Sequence, residues 1–381
     1  MRSQRISFAL FLIGFASLTT SCFAQRPAGS TNTTKTFGHV SEIAKLSNAR
    51  ASHTSTLLSD GRVLIAGGME RNGVFFGSAE IFDPRTNRFA PTISMTQKRV
   101  SHSATLLPDG RVLFAGGWPD PDAPTMSAEI FDPRTGRFTP TGNLHRRRAH
   151  HSATLLIDGK VLIAGGTEGK NSLSDAEVFD PKTNTFTVIG TMTAARLQHT
   201  ATTLSNGRIL FAGGETREGL ILSTVEIFDP KTTKFSPLPD QMTMPRYKHD
   251  AILLTDGRVL IWGGSNERDW QGQYKSAEIF DPNTRKFAAT AEMNYARFKV
   301  DGTSVLLTGG RVLIGGGSEG AEIFDPQTNS FSKADGAFGV PLHYASVTLL
   351  TDGRALIVGG YGNGSRHEGP VSTNRAWIFQ L

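Results

Sequence analysis

Residues 108–117 read PDGRVLFAGG: a turn with Asp-Gly at its centre, a short apolar run and two glycines. Asp-Gly favours a two-residue hairpin turn of type I′, because both central residues of that turn need positive φ. The apolar run Val112–Phe114 is typical of a strand that is covered on both faces. This stretch therefore predicts a β-hairpin whose second strand lies inside the fold and ends at the paired glycines.

The same stretch recurs seven times along the chain. Its paired glycines are Gly67-Gly68, Gly116-Gly117, Gly165-Gly166, Gly213-Gly214, Gly263-Gly264, Gly316-Gly317 and Gly359-Gly360. Successive pairs are 49, 49, 48, 50, 53 and 43 residues apart. A period near 49 with strand patterning is typical of a β-propeller. We predict an all-β fold, a seven-bladed β-propeller of four-stranded antiparallel blades.

The second half of each repeat carries an Asp-Pro turn and an aromatic residue. In the second repeat, Asp132-Pro133 follows a third strand and Phe138 opens a fourth. Proline pre-sets φ for the second position of a type I turn, and Asp at the first position accepts a backbone N–H. We interpret the recurring phenylalanine as packing between blades.

The two ends of the repeat array complement each other. The last repeat stops at Leu381 after its third strand, whereas Lys35–Phe37 resembles the beginning of a fourth strand. We expect the N-terminal strand to close the last blade, because this pairing removes an exposed sheet edge. The propeller should then occupy residues 36–381.

The segment before the propeller is predicted to be a signal peptide, residues 1–24, followed by a flexible tether, residues 25–35. Arg2 and Arg5 precede an apolar run that is too short to span a membrane. Cleavage after Ala24 would give a secreted or periplasmic protein without a transmembrane segment.

Cys22 is the chain's single cysteine and leaves a second way of processing open. Residues 18–22 loosely resemble a lipobox, so a lipid anchor at Cys22 is the alternative to simple secretion. Cleavage after Ala24 would instead leave no cysteine, which excludes disulfides, a cysteine nucleophile and a cysteine-based zinc site. The net charge of +6 comes without a lysine-rich run, so we expect no nucleic-acid partner. We also expect a monomer.

An Arg-x-x-His motif opens five of the repeats. Its members are Arg50/His53, Arg99/His102, Arg148/His151, Arg196/His199 and Arg246/His249. Together with the paired glycines and the Asp-Pro turn, this pattern resembles the kelch-repeat family of propellers. It is similar in outline to secreted bacterial kelch proteins, to the central domain of galactose oxidase and to periplasmic sialic-acid mutarotases. The resemblance implies the fold but no single function, because propellers support unrelated activities.

Two repeats depart from this motif. The sixth reads Arg297-Phe298-Lys299-Val300-Asp301-Gly302, which lacks the histidine and lengthens the connection to the strand. The seventh has Leu342 where arginine is expected and Ala345 where histidine is expected. Either local packing or a specialised part of the ring would explain the change.

Binding residues are expected on the face that carries the variable loops, around the central channel, because function concentrates in variable loops on rigid scaffolds. Basic residues near the mouth suggest a cationic rim for a carboxylate, sulfate or phosphate, with a structural role for each arginine as the alternative. The candidate arginines are Arg99, Arg146, Arg148, Arg196 and Arg246. The candidate aromatic residues for stacking on a sugar or anchoring a protein are Trp118, Trp270 and Tyr274.

Catalytic chemistry has little support in the sequence. The repeated histidines favour hydrogen bonds between blades over a metal site, because equivalent positions on separate blades converge poorly. The repeated third-strand glutamates are interpreted as structural, and loop acids such as Glu215 and Glu267 cannot be paired from sequence. Copper-radical chemistry of the galactose-oxidase kind needs a cysteine that the processed chain lacks. We expect no metal and no cofactor.

The sequence therefore favours a secreted, non-catalytic binding propeller that recognises a glycan or an extracellular protein, including anionic ones. The alternative is a carbohydrate-active enzyme of the mutarotase, epimerase or lyase type, with its site over the central channel. A purely structural envelope protein is a third possibility.

Overall fold

The computed structural model describes residues 37–70, 74–266, 272–362 and 371–381. These residues form seven four-stranded antiparallel sheets and one two-stranded ribbon. Within the described ranges there is no α-helix, and thus no helix long and apolar enough to cross a membrane. The predicted all-β, seven-bladed propeller is confirmed.

The strands follow the repeats in chain order. The first strand, β1 (His39–Glu42), precedes blade 1, which comprises β2 (Thr54–Leu57), β3 (Val63–Ala66), β4 (Ala79–Asp83) and β5 (Arg88–Pro91). Blade 2 comprises β6 (Ser103–Leu106), β7 (Val112–Ala115), β8 (Ala128–Asp132) and β9 (Arg137–Pro140). Blade 3 comprises β10 (Ser152–Leu155), β11 (Val161–Ala164), β12 (Asp175–Asp180) and β13 (Thr185–Thr191).

The remaining blades repeat this order. Blade 4 comprises β14 (Thr200–Thr203), β15 (Ile209–Ala212), β16 (Val225–Asp229) and β17 (Lys234–Pro237). Blade 5 comprises β18 (Asp250–Leu253), β19 (Val259–Trp262), β20 (Ala277–Asp281) and β21 (Lys286–Ala289). Blade 6 comprises β22 (Ser304–Leu306), β23 (Val312–Ile314), β24 (Glu322–Asp325) and β25 (Ser330–Lys333). Then come β26 (Ser346–Leu349), β27 (Ala355–Val358), the ribbon β28 (Tyr361–Gly362) with β29 (Val371–Ser372), and β30 (Ala376–Gln380).

Blade 7 contains strands from both ends of the propeller, in the order β1-β30-β27-β26. The register pairs His39 with Gln380 and Val40 with Phe379. Val40 is buried in the same apolar cluster as Phe379. The first and last strands of the ring therefore belong to one sheet.

The core lies between adjacent blades. Every residue of β7 is buried, and Val112 and Phe114 pack in one cluster with Leu64 of blade 1. Phe138 belongs to that cluster too, and its ring centroid is 4.8 Å from that of Phe131. Burying each such side chain stabilises the fold by roughly 1.5–3 kcal/mol. The predicted packing of the recurring phenylalanines between blades is confirmed.

The hairpin turns differ from the expected type. Gly110 has a φ of 86°, but Asp109 is not among the residues with positive φ. The Gly110 N–H donates to the Leu107 carbonyl at 2.9 Å, and the Leu107 N–H donates to the Arg111 carbonyl at 2.7 Å. The prediction of a type I′ turn is wrong, because the loop has three residues and only its glycine needs the left-handed region.

The paired glycines allow a neighbouring loop to approach closely. A Cβ atom at Gly165 would lie 2.6 Å from the Arg196 carbonyl oxygen, nearer than Cβ atoms tolerate. That same carbonyl accepts the Gly166 N–H at 2.9 Å. The glycine pair thus joins each blade to the loop that enters the next one.

Candidate functional site at the central channel

The repeated arginines lie inside the blades. Arg99, Arg148, Arg196 and Arg246 have no exposed surface. Arg99 Nη1 donates to the carbonyl oxygens of Gly116 at 2.7 Å and Ser127 at 2.9 Å, and its Nε donates to Glu129 Oε1 at 2.9 Å. The prediction that these arginines form a cationic rim is wrong, because each guanidinium donates hydrogen bonds to buried acceptors of its own blade.

Each buried arginine has a glutamate partner in the third strand. Glu129 also accepts hydrogen bonds from the backbone N–H and the hydroxyl of Thr96, at 2.8 and 2.9 Å. The ion pair therefore ties the loop that precedes the first strand to the middle of the blade. The interpretation of the repeated glutamates as structural is confirmed.

Arg146 is the candidate arginine that reaches the surface, with 45% of its side chain exposed. Its Nη2 lies 2.6 Å from Glu168 Oε1, and its Nη1 lies 3.4 Å from Asp175 Oδ1. The hydrogen bond to Glu168 raises the pKa of Arg146 and lowers the pKa of Glu168. Two carboxylates of the same blade thus balance this charge.

The three candidate aromatic residues have different fates. Tyr274 is buried, and its ring centroid lies 5.1 Å from the guanidinium carbon of Arg246. Its hydroxyl donates a hydrogen bond to the Pro245 carbonyl at 3.2 Å. Its expected role in stacking on a ligand is therefore wrong. Trp118 is half-buried in the variable loop of blade 2, where its backbone pairs with Val100. Trp270 lies outside the described residues.

The repeated histidines link neighbouring blades, as expected. Nε2 of each bonds a hydroxyl on the first strand of the preceding blade. The pairs are His53–Ser346 (2.9 Å), His102–Thr54 (3.1 Å), His151–Ser103 (2.9 Å), His199–Ser152 (2.9 Å) and His249–Thr200 (3.2 Å). Burial, and then the nearby arginine, lower the pKa of His53, His102 and His199 to about 3. In the described parts of the chain, no three or more His, Cys, Asp or Glu residues form a metal-binding group.

A ring of seven residues surrounds the mouth of the central channel, and we call it the mouth ring. All seven have a left-handed backbone with φ between 51° and 58° and follow the arginine position by two residues. They are Ser52, Ser101, His150, Gln198, Lys248, Lys299 and Tyr344. This ring lies on the face of the variable loops, since each first strand starts there.

Backbone hydrogen bonds close the mouth ring. At six of the seven junctions, the N–H of a ring member donates to the carbonyl of the member in the preceding blade at 2.8 to 3.2 Å, as from Ser52 to Tyr344 and from Gln198 to His150. Between blades 5 and 6 the donor is Val300 instead, at 3.3 Å from the Lys248 oxygen. Sequence reasoning pointed to single members such as Lys248 and Lys299 but did not recognise the ring, although its residues lie beside a repeating arginine and histidine.

Large polar side chains of the mouth ring are concentrated over blades 4 to 7. Gln198 Nε2 donates to the Tyr344 hydroxyl at 3.0 Å. Lys299 Nζ donates to the Tyr361 hydroxyl at 2.6 Å and lies 4.7 Å from the Phe298 ring centroid. Burial raises the pKa of both tyrosines, so their hydroxyls stay protonated.

A two-residue insertion brings a carboxylate into the channel. The buried arginine bonds a glycine carbonyl 17 residues later in blade 2 but 19 residues later in blade 6. The extra residues, Asp301 and Gly302, are exposed to the channel. They line a cavity of about 220 Å³ together with side chains of blades 1, 2, 3 and 7, among them His150 and Tyr344.

The carboxyl groups at this level of the channel have raised pKa values. The surrounding protein withdraws water from Asp301 and raises its pKa to about 6. Burial, and then the charge of Asp301, raise the pKa of Asp250 to about 7. Asp250 accepts hydrogen bonds from the Thr303 N–H at 3.1 Å and the Ser304 hydroxyl at 2.7 Å. Asp250 thus joins blades 5 and 6, whereas Asp301 faces the cavity.

Comparisons with known proteins agree with this geometry. Residues 148–193 and 196–242, which contain blades 3 and 4, match the Kelch motif. The chain is a seven-bladed β-propeller with kelch repeats in these two blades. No curated protein matches it. A solved structure similar to this propeller is that of a fungal alcohol oxidase of the AA5 family in complex with copper, with a TM-score of 0.71 and 17% identity over 90% of this chain and 76% of that chain. At that identity the likeness shows the fold alone.

The cavity in the channel of this propeller thus has groups suited to recognition and proton exchange. Burial, and then the charge of Lys248, lower the pKa of His150 to about 4, so its imidazole is neutral at pH 7. Asp301 changes its charge near pH 6. The cavity combines a titrating carboxyl group with neutral hydrogen-bonding side chains.

Proposed function

We propose that this kelch propeller is a secreted binding protein that recognises a glycan or an extracellular protein through its variable-loop face. The contact is centred on the mouth ring and the cavity beneath it. The observation that carries the proposal is the mouth ring itself: its seven positions carry five kinds of polar side chain, Ser, His, Gln, Lys and Tyr, while the arginine and histidine on either side repeat in five blades. Variation held on a rigid frame is typical of a recognition surface.

The size of the cavity limits what enters it. Its volume is about 220 Å³, below the range of roughly 300–1,000 Å³ that drug-sized ligands occupy. One sugar unit or one amino-acid side chain fits such a space. The rest of the ligand would contact the surrounding loops, where Trp118 offers a half-exposed aromatic ring.

Export rests on the leader pattern of residues 1–24, with lipid attachment at Cys22 as the alternative. Mass spectrometry of the protein from the periplasmic, membrane and cytoplasmic fractions of a bacterial host distinguishes the two. A chain that starts at Gln25 supports simple secretion, and a diacylglyceryl group on Cys22 supports the lipid anchor. An unprocessed chain that stays in the cytoplasm would contradict both.

The binding proposal is tested with variants of the mouth ring. Gln198→Ala and Tyr344→Phe each remove one end of the 3.0 Å hydrogen bond at the mouth. On a glycan array and in pull-downs with defined extracellular proteins, we expect each variant to lose at least about tenfold in affinity for the ligand that the wild type binds. The matched control is Arg134→Ala, an exposed residue of a turn on the opposite face, which should bind like the wild type. Equal binding by all variants would refute the proposed location.

A carbohydrate-active enzyme is the second candidate, and Asp301 is the observation that favours it. A carboxyl group with a pKa near 6 in a sugar-sized cavity suits general acid–base catalysis. Exchange spectroscopy of reducing sugars would reveal acceleration of anomer interconversion, which Asp301→Asn should abolish. The absence of acceleration by the wild-type protein would leave the binding function as the better account.

A further inference from the structure

The carboxylate of Asp301 is the unusual feature of the channel cavity. Asp301 and Gly302 form the two-residue insertion in blade 6. The Gly302 carbonyl accepts a hydrogen bond from the Val347 N–H of β26 at 3.1 Å. This bond holds the inserted turn against the inner strand of blade 7. Among the residues that the structure describes, no side chain or backbone N–H donates a hydrogen bond to the carboxylate of Asp301.

The walls of the cavity carry no compensating cation. Asp301 is the one Asp, Glu, Lys or Arg residue among those that line it, so far as the chain is described. The lining histidines His53, His102, His150 and His151 are neutral at pH 7, because burial lowers their pKa values. The cavity therefore has a net negative charge whenever Asp301 is ionised.

The titratable and charged groups of the surrounding blades act on Asp301 and its cavity in different ways. Asp250 of β18 interacts with it as a like charge. Tyr344 of blade 7 is neutral, since burial raises the pKa of its hydroxyl and the charge of Asp301 contributes. Lys248 of the mouth ring acts as a cation on His150, another lining residue, and lowers its pKa. Although the side chain of Asp301 is open to the channel, the protein that surrounds it, rather than any nearby charge, causes its raised pKa.

We propose that the channel cavity binds a primary ammonium group, which pairs with the carboxylate of Asp301. A confined carboxylate has lost part of its hydration, and a cation with three N–H donors replaces the lost water. The neutral hydroxyl and imidazole groups of the wall accept the remaining N–H donors. This inference rests on the proposed binding function and names the ligand class: an amino sugar or a lysine side chain of an extracellular protein.

Binding of the ammonium group depends on pH through Asp301. The ion pair forms only with the ionised carboxyl group, so affinity rises as pH increases through about 6. Between pH 7.5 and pH 5 we expect affinity to fall about tenfold, because roughly one carboxyl in eleven remains ionised at the lower value. The carboxyl group of Asp250 is engaged in hydrogen bonds from Thr303 and Ser304 of blade 6, so we do not expect it to contact the ligand.

The test uses pairs of probes in which acetylation of one amino group removes the positive charge, and Asp301→Asn separates the effect of the charge from that of the added acetyl group. Isothermal titration calorimetry compares glucosamine with N-acetylglucosamine, and Nα-acetyl-lysine amide with its Nε-acetylated form. We expect the ammonium form of at least one pair to bind at least about tenfold more tightly at pH 7.5. The pair that shows this preference tells whether a sugar or a lysine side chain is the natural source.

Asp301→Asn is the decisive variant, because it removes the charge and keeps the shape. We expect it to abolish both the preference for ammonium and the pH dependence, while its thermal unfolding stays that of a folded propeller. Equal affinity for charged and acetylated probes, no binding of any probe, or an unchanged preference in Asp301→Asn would overturn the inference. If neutral sugars or proteins still bind through Gln198 and Tyr344, the proposed binding function stands without it.

Discussion

Blades 1 to 5 and blades 6 and 7 are built from the same strands but are joined in different ways. Each of the first five has a buried arginine and a histidine that bonds the preceding blade. Blade 6 keeps Arg297 but has Val300 in the histidine position, and blade 7 has Leu342 and Ala345. Asp250 joins blade 5 to blade 6, and a backbone bond from Val347 to Gly302 joins blade 6 to blade 7.

The difference separates scaffold from site. Where the Arg-x-x-His motif repeats, the arginine forms hydrogen bonds inside its own blade and the histidine bonds the preceding blade. In the arc formed by blades 6 and 7, the chain departs from the motif and brings Asp301, Lys299 and Tyr344 to the channel. Regular blades therefore provide rigidity, and the irregular arc provides the chemistry that the ligand meets.

The largest effect is expected from removing a motif arginine. Arg99→Leu leaves Glu129 buried without its cation, which should lower the free energy of unfolding by about 3–5 kcal/mol. The double variant Arg99→Leu/Glu129→Leu should lose less, because no unpaired charge remains buried. Urea denaturation measures both, with Arg134→Ala as the exposed control that should unfold like the wild type. Equal losses in the single and double variants would contradict the ion-pair account.

A second prediction concerns the carboxyl group that replaces the histidine link between blades 5 and 6. The folded-state pKa of Asp250 is raised to about 7, so its contribution is most favourable below the unfolded-state pKa and is lost as pH rises towards 7. Relative to Asp250→Asn, the wild type should lose about 2–3 kcal/mol of unfolding free energy between pH 5 and pH 8. Urea denaturation at both pH values gives this difference. A difference that does not change with pH would show that Asp250 is ionised throughout.

The histidine links in the regular arc should respond to pH in the opposite direction. The folded-state pKa of His199 is lowered to about 3, so its contribution is present above about pH 6.5 and is lost as pH falls. Between pH 7.5 and pH 5.5, the wild type should lose about 1.4 kcal/mol more than His199→Asn. Histidine signals in NMR spectra provide a direct check, since those of the linking residues should not titrate between pH 8 and pH 5. Titration near pH 6.5 would mean that the links open in solution.

The smallest effect is expected on the face opposite the mouth ring. Ile157 is 95% exposed at the turn of blade 3, and a Cβ at Gly207 of the next turn would meet nothing within 4 Å. Other turns carry a small polar residue there, such as Thr255, which lies against Gly310. Ile157→Thr should change the free energy of unfolding by less than about 0.5 kcal/mol and leave binding unchanged. A loss of binding would move the functional surface to this face.

Repetition made much of the fold predictable. Seven glycine pairs at a regular interval specify seven sheets, and the apolar run before each pair identifies the buried strand, as β7 illustrates. The histidine links also followed from the repeat, because equivalent residues on adjacent blades meet hydroxyl groups of the same kind. The turn type did not, since Asp-Gly occurs in two-residue and three-residue hairpin loops alike.

The candidate site was less accessible to sequence reasoning. Arginines near a channel mouth suggested an anion site, yet Arg99 turns inward, towards the Gly116 carbonyl and Glu129. The sequence showed that Asp301 belongs to a longer connection in the sixth repeat. Its position in the channel depends on how the inserted turn packs against β26. A side chain's direction within a loop is set by contacts with distant residues, which a local pattern does not contain.

The sequence alone determined the number of blades, the strands within each blade and the face that carries the variable loops, because these follow from local periodicity and turn chemistry. The tertiary structure decided which polar side chains are buried in the blades and which reach the channel. That choice depends on the closure of the ring, which brings residues 243 positions apart, Ser101 and Tyr344, to the wall of one cavity. Ring closure creates the confined space in which Asp301 has its raised pKa.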